Sequence, residues 1–399
     1  MSGTVDSGAG GRAAPLVAID VRMAGHTGIG RYLRGLVNAL LARDDPFDLL
    51  LIANPTRDPT AVWDWVEVSE ERRPRVRIAS FGKPVPIYSV AEQAWIPRVV
   101  ASYGADLLHV PHFNIPLRPG VPMTVTLHDA IYLSHPESAR SRAGRMYAAF
   151  MLKEAARRAA AVLTVSEASR DELAERLGLE RAAVTVAPQG AEEMAGWLMG
   201  LRRGSCEVIS PRVKRLPPFL LAVGATRPHK DPETAVATLA EVSKLGFPDL
   251  HLVFVGARGR DGDAVESAAR RHGLAGRVLM LGELPDRDLA WLYDNARALL
   301  HTSRAEGFGL PVLEAFAAEC PVVASDIPAL RELAGKAARL CPPGQPKAFA
   351  AALGRLLINP KEAEGLARLG MARCGELRTE EGARRTAELW LSLLGSAAD

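Results

Sequence analysis

Residues 303–315 read Ser-Arg-Ala-Glu-Gly-Phe-Gly-Leu-Pro-Val-Leu-Glu-Ala, so Glu306 and Glu314 flank Gly307, Phe308, Gly309 and Leu310. Glycines let a backbone come close to a ligand. Pro311 suits a first helical turn, where its missing N–H has no partner to lose. A helix starting there offers free amides to an anion. Carboxylates are poor phosphate ligands and good acceptors for sugar hydroxyls. Amides for a diphosphate and carboxylates for sugars together suit a nucleotide-diphosphate sugar. The bland alternative is a helix N-terminus with helpful acids and glycines.

Three other segments carry chemistry-bearing residues. Residues 222–231 hold Arg227, His229 and Lys230; the lysine is a compact charge suited to phosphate oxygens. Residues 126–130 hold His128 and Asp129. Residues 24–32 hold Gly28, Gly30 and Arg31, without the G-x-G-x-x-G spacing of a dinucleotide site. No cluster of aspartates has metal-ligand spacing near these segments, so no metal site is expected.

Such residues need elements to place them. Short apolar runs at 16–21, 49–53, 76–79, 107–110, 123–127, 162–165 and 184–187 alternate with helical patterns such as 32–42 and 146–161. A second series runs through 219–224, 250–255, 278–281, 298–301 and 321–324, with helices such as 232–245 and 285–295 between. This alternation predicts parallel sheets covered by helices, an α/β fold of two Rossmann-like domains. Residues 191–218 show no clean period, which puts the linker late in that stretch. The division is a tail at 1–14, a first domain at 15–205, a linker at 206–218, a second domain at 219–380 and a final helix at 381–399. Ligands of open α/β sheets bind outside the carboxyl ends of the strands. The segments above fall at those ends, which predicts a two-substrate site between the domains.

Composition sets limits. The 399 residues suit two domains. A net charge of +3 argues against a nucleic-acid binder. The four cysteines form no C-x-x-C pair, which fits a reducing cytosol. The N-terminal residues lack the apolar core of a signal peptide, and no run has the length of a membrane span. The abundant alanine, arginine and glycine point to a GC-rich, bacterial genome. One stretch interleaves Arg140, Arg142, Arg145, Lys153, Arg157 and Arg158 with Met146, Tyr147, Phe150 and Met151. Basic and apolar residues on one helix can meet an anionic membrane. The favoured reading is a core-facing stripe with a solvated basic side.

The Glu306–Glu314 pair resembles the paired-glutamate motif of glycosyltransferase family 4, retaining enzymes of GT-B fold. The resemblance covers most of residues 15–395. It implies that Glu314 holds the nucleotide ribose and that Glu306 contacts the transferred sugar. It implies a donor site made of Gly28, Gly30, Arg227, His229, Lys230, Glu306, Gly307, Phe308, Gly309, Leu310 and Glu314. His128, Glu306 and Lys230 stand at the reacting centre, and Arg31, His112, Asn114 and Asp129 on the acceptor side. His229 stands where the family commonly has arginine, and Arg227 is the candidate to supply that guanidinium. The segment 109–114, with His112 and Asn114, resembles the acceptor-side loop of the family's polysaccharide mannosyltransferases. The implied activity is transfer of a hexose, mannose first, to a glycan or lipid-linked acceptor. GDP-mannose is favoured as donor over a UDP-sugar, with no metal and no other cofactor. The place of action is the cytoplasm or the inner membrane face. A silent sugar-nucleotide-binding subunit and a sugar-nucleotide epimerase are the competing readings.

Overall fold

The computed structural model describes residues 14–54, 62–79, 85–139, 141–259 and 262–395. The N-terminal tail, up to residue 13, and Arg140 lie outside them.

Strands β1 (Leu16–Asp20), β2 (Asp48–Ile52), β3 (Val76–Ala79), β4 (Leu107–Val110), β5 (Met123–Thr126), β6 (Ala161–Thr164) and β7 (Val184–Val186) form one sheet, in the order β3-β2-β1-β4-β5-β6-β7. Strands β8 (Phe219–Val223), β9 (His251–Val255), β10 (Val278–Met280), β11 (Ala298–His301), β12 (Val322–Ser325) and β13 (Arg339–Cys341) form the other, in the order β10-β9-β8-β11-β12-β13. All described pairings are parallel, for example Ile19 with Leu51 and with His109. Strands buried on both faces read as unbroken apolar runs, and β1 is buried at every position.

Each order reverses beside its first strand, between β1 and β4 and between β8 and β11. Such reversals leave a crevice at the carboxyl ends where ligands bind. The loops after β1, β4 and β5 and those after β8 and β11 carry the candidate residues, so topology alone brings distant segments together.

The structure corrects the sequence reading in three places. Residues 192–202, expected to be aperiodic, form a helix (Glu192–Arg202) that packs on the helices Asp286–Asn295 and Leu310–Ala317 of the second unit. Its Arg202 reaches Asp294 of the second unit at 2.8 Å and its Glu193 pairs with Arg34 of the first at 2.9 Å, so the helix spans both units. The helix expected from residue 32 begins at Thr27, which puts Gly28 and Gly30 in its first turn instead of a loop. In the basic stretch, helix Arg142–Arg158, only Met151 of the four named apolar residues joins the core; Met146, Tyr147 and Phe150 are exposed. The last helix, Thr379–Gly395, packs on helix Thr27–Leu41 of the first unit. There Trp390 is fully buried against Phe47 and His109 and donates its indole N–H to Thr124 at 3.0 Å.

Candidate functional site

Lys230 closes a short 3-10 turn (Pro228–Lys230) after β8, and Glu306 lies in the loop after β11. The Lys230 ammonium donates to both Glu306 oxygens, at 2.6 and 2.8 Å. His301, the last residue of β11, shares Glu306 Oε1 at 2.8 Å and lies 3.2 Å from the Ser303 hydroxyl. Burial works against a charged Glu306, but Lys230 and the His301 bond hold its carboxyl far below the usual range. It is an anion at any working pH. Sequence reasoning missed His301, because a histidine ending an apolar strand gives no signal of its own.

Gly309 caps the helix Leu310–Ala317 at φ 102°, a left-handed conformation that favours glycine. Phe308 beneath it is buried, and Pro311 occupies the first turn. One turn in, Glu314 is buried to 2% exposure, with one oxygen accepting from the Tyr293 hydroxyl at 2.9 Å. Its other oxygen pairs with Arg31, which comes from the first unit and also reaches Asp286 at 2.5 Å. Both oxygens of this carboxylate are therefore engaged by protein, one of them across the cleft.

More bonds cross between the units. Ser166 caps its own helix and donates to the carbonyl of Gly307 at 2.6 Å. Ser169 donates to the carbonyls of Gly307 (2.7 Å) and His128 (2.9 Å). Glu332 accepts from the amides of Glu167 and Ala168 at 2.9 and 2.7 Å, an acid at a helix N-terminus where the macrodipole favours it. The His229 ring is bonded to Ser138, with Nδ1 and the hydroxyl 2.9 Å apart. Arg227 is exposed. Ser166 and Ser169 read as simple caps in sequence; their second bonds depend on a segment far along the chain.

His128 follows β5. Its Nε2 donates to the Pro111 carbonyl at 3.0 Å, and its ring meets the edge of Tyr32 at 4.8 Å between centroids. That bond fixes the proton on Nε2 and leaves Nδ1 as an acceptor. Asp129 accepts from the Ile131 amide at 3.0 Å, a local turn bond. His112 and Asn114, after β4, are buried together. The Asn114 amide nitrogen donates to Glu92 at 2.5 Å, and Glu92 pairs with Arg22 at 2.9 Å. Arg22 also pairs with Asp20 at 2.7 Å. Among the described residues, no three His, Cys, Asp or Glu side chains converge as metal ligands would.

This many buried histidines give stability a defined pH dependence. Burial pushes His109, His112 and His229 down to about 3 and His128 down to about 4. An unfolded chain would protonate them near pH 6.5. Below that pH the unfolded state binds protons that the folded state refuses, so stability falls as pH falls. Asp129 acts in the opposite sense. Burial pushes it up to about 6, so between there and 3.8 the folded state binds the extra proton. Across these five groups the difference approaches three protons, a contribution to the slope of up to about 4 kcal/mol per pH unit. Thermal melts should show the Tm dropping steeply below about pH 6.5. A flat Tm into the acid range would contradict these environments.

Residues 26–193 match the family "Glycosyltransferase Family 4", and residues 210–370 match "Glycosyl transferases group 1". The O-antigen chain mannosyltransferase RfbU of Salmonella typhimurium is 28% identical over 257 residues, covering 64% of this chain and 66% of the relative. The O-antigen chain mannosyltransferase B of Escherichia coli is 26% identical over 370 residues, covering 90% and 94%. Among solved structures, sucrose-phosphate synthase from Thermosynechococcus elongatus superposes with a TM-score of 0.72 at 22% identity, covering 96% of this chain and all of that one. The Anabaena protein HepE in complex with UDP and glucose superposes with a TM-score of 0.70 at 19% identity, covering 95% and 100%. At these identities the structural likeness shows the fold alone.

Proposed function

The chain belongs to glycosyltransferase family 4 and has the GT-B fold, and from that premise we propose that it moves mannose from GDP-mannose to a growing glycan with retention of configuration. The observation that carries the site assignment is the meeting of Lys230 and Glu306 at the β8–β11 reversal, beside the helix start at Gly309. Lys230 and that helix start would take the diphosphate, whose leaving oxygen gathers negative charge. Donors preset for such charge are often the largest single contribution to catalysis. Glu306 would hold a hydroxyl of the transferred sugar, and Glu314 the ribose. Mannose is favoured by the two O-antigen mannosyltransferases among the relatives.

In this reading the departing phosphate oxygen takes the acceptor proton, and lysine and amides neutralise the leaving group without a metal ion. Turnover of GDP-mannose in EDTA, with the product anomer followed by proton NMR, tests it. An α-mannosyl product in EDTA supports the reading; a β product or full loss of activity contradicts it.

Glu314 is 2% exposed and shares one oxygen with Arg31 of the first unit, so in this reading donor entry loosens that pair and the two units part and close again. Gly307 sits where they touch. A Cβ there would lie 2.2 Å from the His128 carbonyl oxygen and 3.1 Å from the Asp129 Cβ. Gly307→Ala therefore holds the units apart. Since misplacement by about an ångström can cost about 100-fold in rate, kcat/KM should fall by that order. Steady-state release of GDP checks this, and kinetics unchanged by the substitution would mean that closure does not use this contact.

Among the described residues, no helix is long and apolar enough to cross a membrane. The exposed Met146 and Phe150, beside Arg142 and Arg145, support action at the inner membrane face of the cytoplasm, on a lipid-linked acceptor.

A further inference from the structure

The carboxyl end of β4 opens onto a group of aromatic rings that the donor site does not use. Tyr88 and Tyr147 stand with centroids 6.2 Å apart and planes at 75°. Phe113 lies 6.2 Å from Tyr88, and His112 stacks on Phe113 at 4.1 Å. Both tyrosines keep substantial exposure, 50% for Tyr88 and 39% for Tyr147. Open aromatic faces beside buried polar residues suit a ligand with an apolar face and a polar rim, and the bonding of the two hydroxyls narrows the kind.

Each tyrosine is tied by its hydroxyl to a buried residue of the 109–114 segment. The Tyr147 hydroxyl donates to Asn114 Oδ1, so its proton is committed. Tyr88 differs. His112 Nδ1 already accepts from the Asn114 backbone amide at 3.2 Å, so the ring's one proton sits on Nε2. Burial and the neighbouring His128 and His26 push His112 down to about 3, which keeps it neutral. Nε2 therefore donates to the Tyr88 oxygen across 3.0 Å. The Tyr88 hydroxyl proton is left over, on a group whose pKa burial raises, so it stays a donor.

The backbone holds this arrangement in place. Tyr88 has φ 67°, a left-handed conformation rare for a bulky residue. Arg22 anchors the segment by donating to the Val85 carbonyl at 3.3 Å. The adjacent Ser89 hydroxyl is buried without a hydrogen-bond partner.

We propose that Tyr88 and Tyr147 form the corner that receives a hexopyranose unit of the acceptor, with the spare Tyr88 hydroxyl donating to one of its hydroxyls. A pyranose ring offers both chemistries: a face of C–H bonds for the aromatic rings and a rim of oxygens for the hydroxyl. The proposal rests on the transferase reading for the word acceptor, and on the tyrosine geometry for the site.

The test measures binding of methyl α-D-mannopyranoside, methyl α-D-glucopyranoside and methyl α-D-galactopyranoside to the GDP-loaded protein by saturation-transfer NMR. At least one should bind saturably. Tyr88→Phe, which removes only the hydroxyl, should weaken it about five-fold. Tyr88→Gly removes the ring at a backbone position that suits glycine, so folding is kept, and should weaken it at least about ten-fold. Saturable binding of none of the three, or binding unchanged in Tyr88→Gly and Tyr147→Ala, overturns the proposal. GDP release from GDP-mannose by the same native preparation separates the two ideas. Turnover with no effect of the tyrosines sinks only this site, whereas hexoside binding without turnover of GDP-mannose sinks the transferase reading as proposed.

Discussion

Lys230→Ala is expected to lower kcat about 100- to 1,000-fold, the range found when one preset donor to a developing oxyanion is removed. Lys230 is held in place by Glu306, at 2.6 and 2.8 Å. That preset position is the source of its effect, because no reorganisation is needed as the leaving group gathers charge. The substitution has a second consequence. It leaves the buried Glu306 anion with His301 as its remaining side-chain partner among the described residues, so the Glu306 carboxyl should titrate higher and turnover should gain an acid limb. Lys230→Arg restores the charge without the compact geometry and should recover only part of the rate. Turnover measured beside Tm separates chemistry from folding. A Lys230→Ala protein that keeps native kcat at unchanged Tm would remove the lysine from the mechanism.

His128→Ala should lower kcat about 100-fold while leaving nucleotide-sugar affinity within about three-fold of native, the pattern of an interaction made in the transition state alone. The geometry defines its role. Nε2–H is spent on the Pro111 carbonyl, and burial pushes the ring down to about 4. A neutral imidazole with only Nδ1 free can accept a hydrogen bond from a sugar hydroxyl, but it resists taking the proton. Native turnover should therefore show no limb near pH 6.5 from this residue. Rapid-quench turnover with a separate donor titration makes the measurement. Equal losses in affinity and kcat would reduce His128 to a binding residue.

Much of the fold was legible because parallel strands buried on both faces leave unbroken apolar runs. The runs at 16–21 and 123–127 differ from β1 and β5 by one residue at the end. The strand-end loops followed, and with them the meeting of Lys230 with Glu306 and the approach of Gly307 to the His128 backbone. Helix Glu192–Arg202 escaped notice because Gly196 and Gly200 interrupt it and only Met194 and Leu198 are buried. Gly28 and Gly30 read as loop because glycine is a poor helix former; here the space beside Gly30 decides, since a Cβ would lie 2.4 Å from the Ala24 carbonyl. Strand β13 is short and half exposed, with no apolar run to mark it.

What sequence could not show is pairing between the units. Arg31 and Glu314 lie far apart in the chain, as do Ser166 and Gly307, and neither residue of a pair carries a mark of its partner. His229 shows the same limit. Its position beside Lys230 suggests a phosphate contact, but its ring is bonded to Ser138. Arg227 remains the exposed cation beside the turn, in place to approach a diphosphate.

The most direct test is donor turnover by the pure protein. GDP-mannose, UDP-glucose, UDP-N-acetylglucosamine and GDP-fucose are each incubated with it in EDTA, and release of nucleoside diphosphate is followed. The account predicts turnover of GDP-mannose that disappears in Glu306→Ala and Lys230→Ala. Silence with all four donors, together with no binding of any in a thermal shift, would contradict it.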